Sequence, residues 1–330
     1  MSTLFASKYR DYLICAAAVL ILLTGLISDN KYTLDILITM VYFCTLASAW
    51  NIMCGFTGQL SLGHGAFLGL GQYTSTLLFT RLGISPWLGM MAGGLTAMLL
   101  ALLVGLLALR LKGPFFALAT IALTAIMEIL AVKFDNLTGG SVGITIPYRP
   151  SLENMIFQGY HPTYFLFVCL LAVVLIVTIV INKSRLGSNL VAIRENELTA
   201  ASLGINVFRN QVYALMISAF FTGVVGTLYA QHVLFIDPAG SFSVVVSEKA
   251  ALISIIGGAG TVFGPLIGGI LLAPTEIFLR TWLGSTYQGA YLIIYGVLLI
   301  FVILVIPNGI AGTLGAYIKK TASKVKLQEP

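Results

Sequence analysis

Thr120, Thr124 and Glu128 recur at intervals of four in an otherwise apolar stretch, a spacing that puts two hydroxyls and a carboxylate on one helix face. Groups aligned in this way could pass a polar solute along an apolar medium. Asn51, Ser61, His64 and Gln72 form a second set, interleaved with Gly55, Gly58, Gly63 and Gly65. His64 between two glycines could relay a proton, since its ordinary pKa lies near neutrality. Plainer readings stand beside these. A Thr hydroxyl within a membrane helix commonly bonds the carbonyl one turn back, and a lone His at a helix break commonly satisfies a freed backbone carbonyl. Glu128 is harder to dismiss, because a carboxylate inside a span costs about 2.5–3.5 kcal/mol even on lenient insertion scales.

A third group lies in a polar segment. Asn196 is a good N-cap, Glu197 places an anion in the first turn, and Gly204 supplies a left-handed stop, so a helix of about two turns, roughly 10 Å long, is predicted between them. A short capped helix can dock in a groove of another protein, with Ala200 and Ala201 allowing close approach and Glu195 and Glu197 offering charge contacts. The alternative is a surface loop whose caps only stabilise it.

The elements that must position these groups follow from composition. Of 330 residues, 58% are hydrophobic and 9% charged, and the mean hydropathy is +0.98. Soluble domains carry about 25% charged residues, so this chain lacks the polar side chains to cover a water-facing surface. Its solvent is a bilayer. Apolar runs near 12–28, 33–54, 61–80, 86–109, 114–134, 162–182, 210–232, 245–257, 264–282 and 286–306 predict about ten helices at roughly 20 residues per span. The run 245–257 is too short to cross alone. It leads into Gly257, Gly258, Gly260 and Gly264, and with the earlier glycines this predicts two broken or re-entrant segments, a pointer to a transport pathway. The fold class is therefore all-α and polytopic, in a single membrane domain over 1–330, with an N-terminal helix and entry to the second within 1–45, a polar loop at 183–209 and a polar tail at 310–330.

The charge balance of +6 reflects topology. With the N-terminus inside, 12 of the 18 Lys and Arg residues fall on the inner side, so both termini are predicted to be cytoplasmic. No face gathers the basic cluster that nucleic acid requires. Cys15, Cys44, Cys54 and Cys169 show no paired or metal-type spacing and read as small buried hydrophobes. The first apolar run lacks a small-residue cleavage site and is taken as a retained helix. Glu276 and Arg280, four residues apart, are expected to neutralise one another.

Four stretches then resemble the membrane subunits of ATP-binding-cassette importers for branched-chain amino acids. They are Asn51 to Phe67, Leu111 to Thr120, Leu137 to Ile144 and Ile256 to Pro265, in the order found in the M-type permease of that family, and the likeness extends over about 45–310. The segment Ala192 to Asn206 is similar to the family's coupling loop, although the core here is Thr199-Ala200-Ala201 and the loop's Glu is displaced to Glu197. The resemblance implies the importer permease fold and a heterodimer with an H-type permease. It also implies two cytoplasmic ATPases, which bind the ATP so that this chain needs no cofactor, a periplasmic amino-acid-binding protein, and the bacterial inner membrane. It places ATPase contact on Arg194, Glu195, Asn196, Glu197, Ala200, Ala201 and Gly204. No phosphate-binding Gly-x-x-x-x-Gly-Lys-Ser/Thr run occurs, so the chain is expected to catalyse nothing itself. A self-sufficient ion-coupled carrier or a passive channel would use similar broken helices. The carrier would need deep carboxylates, for which only Glu128, Asp35 and Glu248 are available.

Overall fold

A computed structural model describes residues 30–111, 113–283, 289–305 and 309–313, together with Gly25. The predicted span 12–28, apart from Gly25, and most of the 310–330 tail therefore lie outside the described residues. The chain forms α1 (Lys31–Thr57), α2 (His64–Leu82), α3 (Pro86–Ala108), α4 (Pro114–Lys133), α5 (Tyr160–Lys183), α6 (Arg185–Glu195), α7 (Glu197–Ser202), α8 (Val207–Val233), α9 (Val244–Gly258), α10 (Gly264–Leu283) and α11 (Ala290–Val305). The sequence signals of start and stop account for many of these ends. The Asn30 side chain accepts from the Tyr32 amide to open α1, and Gly58 closes it in the left-handed region at φ 74°. Pro86 and Pro114 open α3 and α4, where a missing N–H costs nothing.

Burial sorts the helices into an inner and an outer set. In α1 and α8, 78% and 67% of the apolar window is buried, against 28% in α3, 28% in α4 and 33% in α5. The outer helices expose Leu107, Ile129 and Val180, apolar faces suited to lipid. α1 packs on α5, α8, α9 and α10, and α8 packs on α2 and α3. That second contact is made by glycine. A Cβ on Gly71 would lie 2.2 Å from the Gly223 carbonyl oxygen, and one on Gly223 would lie 2.7 Å from that of Gly93, so three backbones touch where any side chain would hold them apart.

Six helical segments are long and apolar enough to cross a membrane among the described residues, so the expected count of about ten is not confirmed. α2 falls short because it carries His64, Gln72 and Tyr73. Those residues are buried among neighbouring helices, where an all-apolar surface is unnecessary. α9 alone has 15 residues, short of a span as expected, and reaches membrane length, 21 residues, only together with the turn at Pro238–Ser241. The polar loop at 183–209 also holds more structure than expected. Ser184 caps α6 by accepting from the Gly187 amide at 3.4 Å, and Gly187, Leu190 and Ile193 are buried on its inner face. At the other end of the bundle, Ile144–Thr145 pairs antiparallel with Phe235–Ile236.

Candidate functional site

The two glycine-rich interruptions, at Gly58 and at Gly258 and Gly260, meet in space. The Asn51 carboxamide joins them: its Oδ1 accepts from the Gly260 amide at 2.8 Å, and its Nδ2 donates to the Thr261 carbonyl at 2.9 Å. Arg194, at the end of α6, donates from Nη1 to the Gly55 carbonyl at 3.2 Å and reaches Glu195 at 3.5 Å. The expectation that Gly55 breaks a helix is corrected, since it lies inside α1. A Cβ there would lie 2.6 Å from the Gly260 nitrogen, so this position serves close approach, and the break begins at Gly58. Gly63 precedes the first turn of α2. On the other side Gly257 is helical and Gly264 opens α10, leaving the break itself to Gly258 and Gly260, with φ of 123° and 77°.

Side chains from other helices satisfy the backbone freed at the first break. Trp50 Nε1 donates to the Ser61 carbonyl at 2.8 Å, the Leu62 amide donates to Thr120 Oγ1 at 3.0 Å, and the Gly65 amide donates to Ser247 Oγ at 2.7 Å. Ser61 Oγ accepts from the Gly63 amide. His64 is buried, and its Nε2 sits 2.8 Å from Ser218 Oγ. Ser218 gives its one hydroxyl hydrogen to the Ala49 carbonyl at 2.7 Å, so Nε2 must be the donor to Ser218. His64 thus donates to a serine that in turn donates to a carbonyl within α1, while its Nδ1 has no partner. Thr124 donates to the carbonyl of Thr120 and Thr120 to that of Ala117, the local back-bonding typical of membrane threonines. Both threonines are buried, and Glu128 on the same face is part-buried.

The two-turn helix predicted in the loop is α7. Asn196 Oδ1 caps the Thr199 amide at 2.9 Å, and the chain leaves through Gly204 at φ 83°. Glu197 occupies its first turn. Ala200 is buried against its own chain, whereas Ala201 is exposed and Leu198 and Leu203 are 74% and 76% exposed. Glu197 also borders a hollow of about 660 Å³ between the first break and the α3–α4 turn, lined by Gln59, Leu111, Pro114 and Gln211.

Toward the opposite end, a cavity of about 640 Å³ lies between α1, α2, α8, α9 and α10. Of the pathway candidates only Gln72 lines it. The charged lining residues are Asp35, Asp237, Lys249, Glu276 and Arg280, from α1, α9, α10 and the turn that precedes α9. Lys249 donates to Glu276 and sits 5.6 Å from the centre of the Phe43 ring. The expected Glu276–Arg280 pairing is therefore corrected: Glu276 reaches across to α9, because a contact between facing helices neutralises two charges away from water. Asp35 Oδ1 accepts from His232 Nε2 at 3.2 Å. The sequence reading gave Lys249 and His232 no functional weight. Charges inside apolar runs were the available signal, since such residues mark polar sites by default, but their partners lie on distant helices.

Residues 32–303 match the family model described as the permease component of branched-chain amino acid transport systems. The high-affinity branched-chain amino acid transport system permease protein LivM of Escherichia coli (strain K12) is 29% identical over 304 residues, covering 85% of this chain and 70% of that protein. The corresponding LivH protein of Salmonella typhimurium is 27% identical over 285 residues, covering 82% and 91%. A probable LivH of Methanocaldococcus jannaschii is 26% identical over 271 residues, covering 78% and 84%.

Proposed function

The chain belongs to the family of branched-chain amino acid transport permeases, as a LivM-type member, and from that premise we propose that it is one membrane subunit of an ATP-driven importer for Leu, Ile and Val. In this reading it pairs with an H-type permease in the bacterial inner membrane, both termini in the cytoplasm. Two ATPases bind and hydrolyse ATP on the cytoplasmic side, and a periplasmic binding protein delivers the amino acid. The observation that carries the coupling is the capped α7 with Leu198, Ala201 and Leu203 exposed, joined through α6 to Arg194 at the glycine breaks.

Closure of the ATPases would draw α7 sideways and move α6 with it. Arg194 would carry that displacement to the Gly55 carbonyl, and Asn51 would carry it on to Gly260 and Thr261. Glycines at both breaks let the backbone turn without side-chain collisions, so a small shift at the loop can reorient two helix ends. Arg194, Glu195, Asn196, Glu197, Ala200, Ala201 and Gly204 form the coupling segment in this scheme. Asn51, Ser61, His64, Thr120 and Thr124 hold the hinge, and Gln72 faces the solute.

The test is purification of the full chain from its own membrane, with identification of co-purifying ATPases, permease and binding protein, followed by reconstituted leucine uptake. Glu197→Arg and Ala201→Trp are expected to cut uptake at least on the order of tenfold while ATP hydrolysis persists. Unchanged uptake in both variants would sink the assignment.

A further inference from the structure

The corner where α5 passes into α6, with the start of α8 beside it, gathers basic side chains that contacts within the chain leave uncompensated. Along α5 the exposed residues Val173, Ile176 and Val180 follow one another at helical spacing, and Lys183, exposed at the end of the helix, continues that stripe three residues on. Arg185 is exposed in the first turn of α6. One turn further along the same face, Asn189 Nδ2 donates to Asn210 Oδ1 at 3.2 Å and ties α6 to the first turn of α8. Arg209, next to Asn210, is exposed and held over Tyr213: its Nε donates to the Tyr213 hydroxyl at 2.8 Å, and its Cζ sits 5.4 Å from the ring centre. Among the described residues both terminal nitrogens of that guanidinium are without a partner, and none of the three cations has an acidic one. The acids of this stretch, Glu195 and Glu197, stand at and beyond the far end of α6.

We propose that Lys183, Arg185 and Arg209 form a binding surface for the phosphate of an anionic phospholipid, and that the bound headgroup holds the start of α6 against α8. A guanidinium offers phosphate a two-pronged donor, and an ammonium adds a point charge. Position on the chain selects lipid over a soluble polyanion. The apolar stripe of α5 leads directly to Lys183, so the cations stand where hydrocarbon gives way to headgroups, and Tyr213, 42% exposed, is the kind of ring that sits at that level. Basic residues at the edge of a span each add to the attraction of a negative membrane surface, and salt weakens it. The consequence runs along α6. Its inner face, Gly187, Leu190 and Ile193, is buried, and at its far end Arg194 holds the Gly55 carbonyl, so a lipid that steadies the start of α6 steadies the element that joins α7 to the glycine breaks. Binding follows from the membrane setting alone; its bearing on transport rests on the reading of α7 as the coupling helix.

The experiment uses the full chain in its native complex, in phosphatidylcholine bilayers with and without phosphatidylglycerol. A phosphatidylglycerol carrying a photoreactive group near its headgroup is expected to label the segment 183–213 several-fold more than the matching phosphatidylcholine. Lys183→Gln, Arg185→Gln and Arg209→Gln together should remove that excess, and Arg185→Lys with Arg209→Lys, which keeps the charge, should retain most of it. Hydrogen exchange of the α6 amides is expected to slow several-fold on adding phosphatidylglycerol, but not in the glutamine variant. Equal labelling by the two lipids, or α6 exchange that does not respond to phosphatidylglycerol, would overturn the proposal. Displacement of the label by inorganic phosphate at constant ionic strength would overturn it as well, since the surface would then take a soluble anion. Labelling that appears only after cytoplasmic partners are stripped away would assign the surface to a protein and overturn it too. If both lipid effects appear in a complex that takes up no leucine, the lipid surface stands and the importer reading fails; if uptake is intact and both are missing, the reverse holds. If the glutamine variant does not accumulate, the comparison of the two lipids on the unchanged chain decides.

Discussion

The two ends of the helical bundle treat polar groups in opposite ways. At the joint of the glycine breaks, Asn51 uses both ends of its amide, and Trp50, Thr120, Ser247 and Arg194 each meet a named backbone partner. At the cavity, charged side chains pair with one another, Lys249 with Glu276 and Asp35 with His232, beside open space. Glycine explains the first: with no Cβ at Gly55 the backbone of Gly260 comes into contact, and the hydrogen bonds close over it. Long side chains explain the second. Lys249 and Glu276 pair across α9 and α10, and the space beside them stays unfilled. Backbone groups freed at the breaks are met by single side chains, whereas at the cavity charged side chains meet one another, Lys249 with Glu276 and Asp35 with His232.

This contrast can be broken at several points. The largest effect is expected where backbones touch: Gly71→Val would drive a Cβ into the Gly223 carbonyl, 2.2 Å away, and should destabilise the fold by about 1–3 kcal/mol or more, seen as loss of monodisperse protein and a lower melting temperature in detergent. Next comes Asn51→Leu, which leaves the Gly260 amide and the Thr261 carbonyl unpaired. It should cost about 1–3 kcal/mol per group and expose the second break to faster hydrogen exchange, whereas exchange around the cavity should not change. Lys249→Met and Glu276→Leu sharpen the comparison from the other side. Each single change should destabilise more than the double, with an interaction energy on the order of 0.5–3 kcal/mol by thermal unfolding of the four proteins. The smallest global effect belongs to Asn196→Ala, which should fray α7 by about 0.5–2 kcal/mol, detected as increased exchange at the Thr199 amide with little change in melting.

Local rules made much of this legible. Asn196 and Gly204 bounded α7 because an Asx cap and a left-handed glycine act within four residues. The helix α6 was equally local, with Ser184 ahead of Leu190 and Ile193 at helical spacing, yet the polar composition of the loop hid it. Gly55 was legible as a glycine but not as a contact. A glycine that breaks a helix and one that admits a neighbouring backbone look the same in one dimension. Glu276 and Arg280 show the same limit, because helical spacing suggests a partner four residues away while the facing helix offers a better one.

By itself the sequence determined that the chain lives in lipid, where its apolar segments begin and end, and which loop presents a capped helix. Those properties depend on composition and on neighbours within a turn. Only the tertiary structure decided that Asn51 and Arg194 tie two distant breaks together, that Lys249 pairs with Glu276, and that Asp35 meets His232. Contacts of that kind are set by which helix faces meet, and a chain that is apolar nearly all round encodes little about which of its faces will do so.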